Sequence, residues 1–193
     1  IYSTGEIKDL AAIARERELR VHVDGARVAN AIVALDCSPA EMTWRSGVDA
    51  LSLGATKNGA LSAEAIVVFD DDVADELVYR TKRSGHVTSK MRFQSAQLIA
   101  YLSGGLWLRL AGNANARMAR LSAGLRTLGV GAANRADVNM LFAEVDDRVA
   151  TELERAGLLF YRIRPGVIRL GTRWQTTGED ADGALAAFAA ALG

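Results

Sequence analysis

The sequence of 193 residues has one cysteine, two histidines, two prolines and no excess of charge, 23 basic residues balancing 23 acidic ones. A lone cysteine, Cys37, cannot form an internal disulfide and suggests a reducing compartment. It has no basic neighbour to activate it, so it reads as a small structural residue rather than a nucleophile. Neither His22 nor His86 stands at metal-ligand spacing from another histidine, cysteine or carboxylate, and no metal site is expected. His22 reads as a core residue and His86 as a solvated one. Balanced charge without a long basic block argues against a nucleic-acid partner. No apolar run approaches the length of a membrane span and no signal peptide is visible, so the expected location is the cytoplasm. What the chain does have is apolar content, half of its residues. That is enough for a substantial core in one large domain or two small ones.

The pattern of elements is α/β. Ser3 and Glu6 have the spacing of a capping box, and Ile7, Leu10, Ala11 and Ala14 continue at helical period to Arg17. Residues 19–23 read as a buried strand, 25–34 as a helix that Asp24 can cap, and Ser38-Pro39-Ala40-Glu41 as a second capping box with proline at the first helical position. Residues 49–53 and 65–69 read as further buried strands, and Asp70 to Asp72 open a helix to about Tyr79. The first two strands are joined by helices, so a parallel pair is expected. Arg80 to Lys90 is a polar, basic junction. A long helical stretch from Phe93 to about Leu128 has possible breaks at Gly104-Gly105 and Gly112. Strands at 138–145, 158–162 and 167–171, a helix from Asp146 or Asp147 to about Ala156, and a last helix at 179–192 complete the chain. The expected division is 1–79 and 80–193, the second part holding the long helix and a small α/β domain.

The rest of the chain is organised around residues 19–70. Asp24 ends the first apolar run, and Lys57 follows the second within Gly54-Ala55-Thr56-Lys57-Asn58-Gly59-Ala60. A carboxylate and a lysine just past the C-terminal ends of two strands stand where open α/β sheets place ligands. The pair suits pyridoxal phosphate, which needs a lysine to hold its aldehyde as a Schiff base and an acidic partner for its pyridine nitrogen. Arg27, three residues after Asp24, offers a planar guanidinium for bidentate binding of a carboxylate. Taken singly, each has an ordinary structural explanation: an Asp-Gly turn, a solvated loop lysine, a surface arginine. Their order and placement favour function.

His22-Val23-Asp24-Gly25-Ala26-Arg27, followed by Ala29-Asn30-Ala31 and by Asp49-Ala50-Leu51-Ser52-Leu53-Gly54-Ala55-Thr56-Lys57-Asn58-Gly59-Ala60, resembles the low-specificity threonine aldolases. These are β-eliminating lyases with the aspartate-aminotransferase-like architecture called fold type I. The likeness is close from Asp24 to Phe69. It continues more loosely through Lys90-Met91-Arg92-Phe93 and Ile168-Arg169-Leu170-Gly171-Thr172-Arg173-Trp174. The resemblance implies that Lys57 carries the Schiff base, that Asp24 pairs with the pyridine nitrogen and that Arg27 and Arg169 hold the substrate carboxylate. Arg173 is a weaker rival of Arg169, which on its own reads as a solvated strand residue. The basic junction Arg80 to Lys90 reads first as a solvated loop; its functional reading is a segment that reaches the cofactor phosphate across a dimer interface, and Arg92, just beyond it, is the candidate for that phosphate.

The resemblance further implies a chain lacking the N-terminal half of the family, with only part of the large-domain sheet. The implied reaction cleaves L-threonine or L-allo-threonine to glycine and an aldehyde, in a dimer or tetramer. Another fold type I enzyme, a β-eliminating lyase or an aminotransferase, stays open, as does an inactive fragment or non-catalytic subunit.

Overall fold

The structure, a computed structural model, describes residues 1–193. The chain divides into two compact units, Ile1–Arg109 and Leu110–Gly193. The boundary lies further along the chain than the expected division at residue 79.

The first unit opens with α1 (Thr4–Arg15), whose start is fixed by the expected capping box between Ser3 and Glu6. Three strands follow, β1 (His22–Gly25), β2 (Ala50–Gly54) and β3 (Glu64–Val68), in the spatial order β1-β2-β3. β1 and β2 run parallel, as their helical connection requires, and β3 returns antiparallel to β2. That connection contains α2 (Val28–Leu35) and α3 (Pro39–Met42), the latter opened by the Ser38–Glu41 capping box. After β3 come α4 (Asp71–Arg83), capped by Asp70, and α5 (Arg92–Leu102).

Three expectations for this unit need correction. The first strand begins later than residue 19, because Leu19 is exposed and Asp49 takes over the backbone there, accepting from the Val21 amide at 2.6 Å. Asp24 therefore lies inside β1, opposite Ser52, and not beyond its end. The strands are also not buried on both faces. Val28, Ala31, Ile32 and Met42 pack with Leu51 and Leu53 on one face, whereas His22, Asp24 and Ile66 are exposed on the other. Finally, α2 starts at Val28, with Arg27 rather than Asp24 in the cap position.

The expected long helix is divided. Gly104 and Gly105 have positive φ of 57° and 69° and break it, while Gly112 lies within α6 (Leu106–Thr127). In the second unit, β4 (Gly131–Ala132), β5 (Met140–Glu144), β6 (Tyr161–Arg164) and β7 (Val167–Gly171) form an antiparallel sheet in the order β4-β5-β7-β6. The short β4 was not expected, and β6 starts three residues later than the sequence pattern suggests, after the exposed Leu159. α7 (Asp147–Arg155) and α8 (Gly178–Leu192) complete the unit. Met118, Leu125, Leu141, Leu153, Ile168 and Phe188 form its core. Arg120 and Asp182 join α6 to α8 through a two-pronged contact at 2.8 and 2.6 Å.

Candidate active site

The C-terminal ends of β1 and β2 lie together because two glycines let their backbones approach. A Cβ on Gly25 would stand 2.6 Å from the Ser52 carbonyl oxygen, and one on Gly54 would stand 2.7 Å from the Ala26 Cα. No larger residue fits either position without moving backbone. Because β1 and β2 are parallel, the turn after β1 and the turn after β2, which carries Lys57, leave the sheet at the same end.

Asp24 is exposed and fixed by its own turn: its Oδ1 accepts from the Ala26 amide at 3.0 Å. His22, two residues earlier on the same face, is exposed rather than in the core. Its Nε2 lies 2.8 Å from the Ser52 hydroxyl. The expectation of a core histidine fails because this face of the sheet is uncovered. Arg27 is half-buried, and with His22, Asp24 and Gly25 it lines a groove of about 460 Å³ beside β1, walled by Ile7, Val28 and Met42.

Lys57 is exposed in a 3₁₀ turn at Thr56–Asn58 that is held from several sides. Thr56 donates its hydroxyl to the Ala63 carbonyl at 3.3 Å and accepts from the Ala63 amide at 3.2 Å, closing the loop. Asn58, buried, donates to the Tyr101 hydroxyl and to the Trp107 carbonyl. Gln97 of α5 accepts from the amides of Leu61 and Ser62 at 2.9 and 3.0 Å. The sequence singles out neither Gln97 nor Tyr101, because their partners lie far away along the chain. The only local signal is that polar side chains interrupt an otherwise apolar stretch.

Arg92 begins α5, exposed, with its guanidinium 5.1 Å from the ring centroid of Phe93. A cation in a first helical turn faces the positive end of the helix dipole, an unfavourable place without an anion. Arg169 belongs to the second unit, half-buried on β7 and 4.2 Å from the ring centroid of Tyr161. The segment after it is pinned: Thr172 donates its hydroxyl to the Ala114 carbonyl at 2.6 Å, and Asn113 donates to the carbonyls of Trp174 and Thr176. Arg173 is exposed. Burial pushes the Cys37 thiol up from its usual range, with Glu41 adding to the effect, which agrees with a structural cysteine.

The first unit thus gathers Asp24, Arg27 and Lys57 on the ends of two adjoining strands, with Arg92 on the helix that braces the lysine turn. A family model described as beta-eliminating lyase matches residues 1–148. The chain belongs to the beta-eliminating lyase family. Among curated members, the low-specificity L-threonine aldolase of Pseudomonas aeruginosa is 40% identical over 182 residues, which cover 93% of this chain and 52% of that protein. The enzyme of the same name from a Pseudomonas species is 38% identical over 178 residues, 91% of this chain and 51% of that protein. The chain therefore spans about half the length of the curated relatives it matches.

Solved structures of the family's fold agree. The threonine aldolase of Leishmania major superposes with a TM-score of 0.92 at 24% identity, covering 100% of this chain and 57% of that one. The aspartate aminotransferase of Thermus thermophilus gives 0.73 at 19% identity, with 99% and 53% covered. The fold is that of fold type I, as the resemblance implies.

Proposed function

We propose that this chain carries the lysine-bearing part of a pyridoxal-phosphate-dependent aldolase that cleaves β-hydroxy amino acids of the L-threonine and L-allo-threonine type to glycine and an aldehyde. The observation that carries the proposal is the close approach of β1 and β2 at Gly25 and Gly54, which sets a carboxylate and a primary amine on adjoining strand ends. That donor set fits the cofactor: an exposed amine for its aldehyde, a carboxylate for its ring nitrogen and a nearby guanidinium for an amino-acid carboxylate. The 40% identity to an L-threonine aldolase favours this chemistry over other reactions of the family.

When bound, pyridoxal phosphate would supply an electron sink for bond breaking at the substrate Cα. Lys57 would hold the cofactor through its aldehyde, its side-chain amine being exposed in the turn. The turn that Asn58 and Gln97 brace keeps this amine in place. Asp24, with one oxygen held by the Ala26 amide, keeps its carboxylate oriented to stabilise a proton on the ring nitrogen. Arg27 of the first unit and Arg169 of the second are each assigned to the substrate carboxylate as separate candidates, and Arg92 would bind the cofactor phosphate. In this proposal residues 1–79 are the C-terminal portion of the cofactor-binding domain, and 80–193 supply the long helix and the small domain.

The proposed enzyme acts as a homo-oligomer in the cytoplasm. Self-association is supported by α4, which buries none of its residues and exposes Val78 and Tyr79. No helix is long and apolar enough to cross a membrane.

The test is an absorbance titration of the purified protein with pyridoxal phosphate beside a Lys57→Ala control, followed by product analysis with L-threonine. A visible band lost in the control, with glycine and acetaldehyde as products, is the expected result. A band that persists without Lys57 would overturn the assignment of the lysine. 2-Oxobutanoate and ammonia, or transfer of the amino group, would overturn the reaction.

A further inference from the structure

The two arginines of the small sheet are treated differently by their surroundings. Arg162, on β6, is held by four bonds: to Glu154 at 3.0 and 2.9 Å, to Asp147 at 3.1 Å and to the Thr151 hydroxyl at 3.2 Å. These contacts hold an edge strand to α7 and use four of the five guanidinium N–H groups. The side chain of Arg169, on β7, has no ion pair and no hydrogen bond within the chain. Its neighbours Ile168 and Leu170 are buried in the core, and strand alternation sends Arg169 to the other face. There its direct cross-strand partners are both aromatic, Phe142 on β5 and Tyr161 on β6.

The Tyr161 ring is the one group that orients the Arg169 head. With the guanidinium carbon 4.2 Å from the ring centroid, the stack covers a face of the cation. It leaves the N–H groups at the edge unspent, and that edge is what a carboxylate takes in a two-pronged contact. A long arginine side chain otherwise loses rotamer entropy on binding, and a preset plane removes part of that loss.

We propose that Tyr161 is a positioning residue for the substrate carboxylate: its ring fixes the plane of Arg169 so that the guanidinium edge is presented ready-made. The proposal rests on the assignment of Arg169 to that carboxylate. The phenol hydroxyl has no part in it; the aromatic face does. Tyr161 is 65% exposed on an edge strand, so its replacement leaves the core untouched.

The experiment uses the holoenzyme and its Arg169→Ala, Tyr161→Leu and Tyr161→Phe variants. It reads kcat and KM for L-threonine, and inhibition constants for 3-hydroxybutyrate and for its neutral amide, neither of which has an amine to engage the cofactor. Tyr161→Leu is expected to weaken 3-hydroxybutyrate about two- to fivefold, the scale of an exposed cation–π contact. KM should rise similarly, with a smaller change in kcat and none in binding of the amide. Tyr161→Phe should restore wild-type values, and Tyr161→Leu should add nothing once Arg169 is alanine. Arg169→Ala should weaken the carboxylate inhibitor by about tenfold or more. If Arg169→Ala weakens it and Tyr161→Leu does not, the role of Tyr161 is overturned and the arginine clamp stands. If Tyr161→Phe weakens it as much as Tyr161→Leu, the stacking argument is overturned. An Arg169→Ala variant with unchanged carboxylate affinity would overturn the clamp itself.

Discussion

Asn58 donates its side-chain amide to the Tyr101 hydroxyl at 2.7 Å and to the Trp107 carbonyl at 2.8 Å, one residue beyond Lys57. Both side chains are buried, Asn58 at 5% exposure and Tyr101 at 3%. Burial pushes the Tyr101 phenol up from its usual range, which keeps it neutral as an acceptor for the amide. Asn58→Ala would leave the buried Tyr101 hydroxyl without its donor and take one bond from the part-buried Trp107 carbonyl. The expected cost is about 1–3 kcal/mol in urea unfolding, with weaker retention of pyridoxal phosphate. Tyr101→Phe removes only one of the bonds and should cost less. An unchanged unfolding midpoint for Asn58→Ala would show that the turn does not depend on this anchor.

Gly54→Ala and Gly124→Ala should part company. At Gly54 the added methyl meets the Ala26 Cα at 2.7 Å and its carbonyl oxygen at 2.9 Å, backbone atoms that cannot rotate away. The expected loss is about 1–3 kcal/mol. At Gly124, inside α6, the obstacle is the end of the Leu185 side chain, which can change rotamer, and alanine favours the helix. Thermal unfolding of the two variants side by side checks the order.

Asp24 has two separable tasks, and two substitutions divide them. Asp24→Asn retains a carbonyl oxygen for the Ala26 amide and loses the charge. It should melt near the wild type yet fall at least tenfold in kcat, about 1.4 kcal/mol in the barrier. Asp24→Ala loses the turn bond as well and should be less stable by about 1 kcal/mol. A fully active asparagine variant would remove the charge from the mechanism.

Acid should loosen three helix starts together. The backbone and hydroxyl of Ser3 hold Glu6 below the usual carboxylate range, the hydroxyl and backbone of Ser38 do the same for Glu41, and Thr177 does so for Asp180. A carboxyl whose pKa is lower folded than unfolded adds stability above its unfolded value, and the gain is lost as pH falls through the folded value. Melting temperature should therefore hold down to about pH 5 and decline below about pH 4. All three carboxylates are exposed, so each share is small. Glu41→Gln should flatten part of the decline seen by calorimetry.

How much of this could be read in advance depended on distance along the chain. The boxes at Ser3–Glu6 and Ser38–Glu41 were legible because each closes within three residues. The parallel pairing of β1 and β2 followed from the helices between them, and Lys57 stood out through its small-residue surroundings. The apolar run from Leu19 was misleading because apolar content does not fix register. Pairing starts at His22, opposite Ala50, and this turns Asp24 onto the open face. The stack of Tyr161 on Arg169 and the bond from Asn58 to Tyr101, 43 residues apart, exist only through strand register and tertiary packing. No spacing in the sequence signals either.

Asn58 is followed by glycine, the neighbour that least hinders attack of a backbone nitrogen on an asparagine side chain, the first step of spontaneous deamidation. In the folded protein the same amide is buried and engaged at two acceptors. The anchor of the lysine turn is therefore also a chemical clock that runs only while the chain is open. Incubation in urea should convert Asn58 to aspartate and isoaspartate, detectable by peptide mass spectrometry, whereas the native protein should keep it intact over the same period. Molecules that have spent time unfolded would refold with a carboxyl group in place of the donor to Tyr101 and Trp107, so the history of the chain would be written beside Lys57.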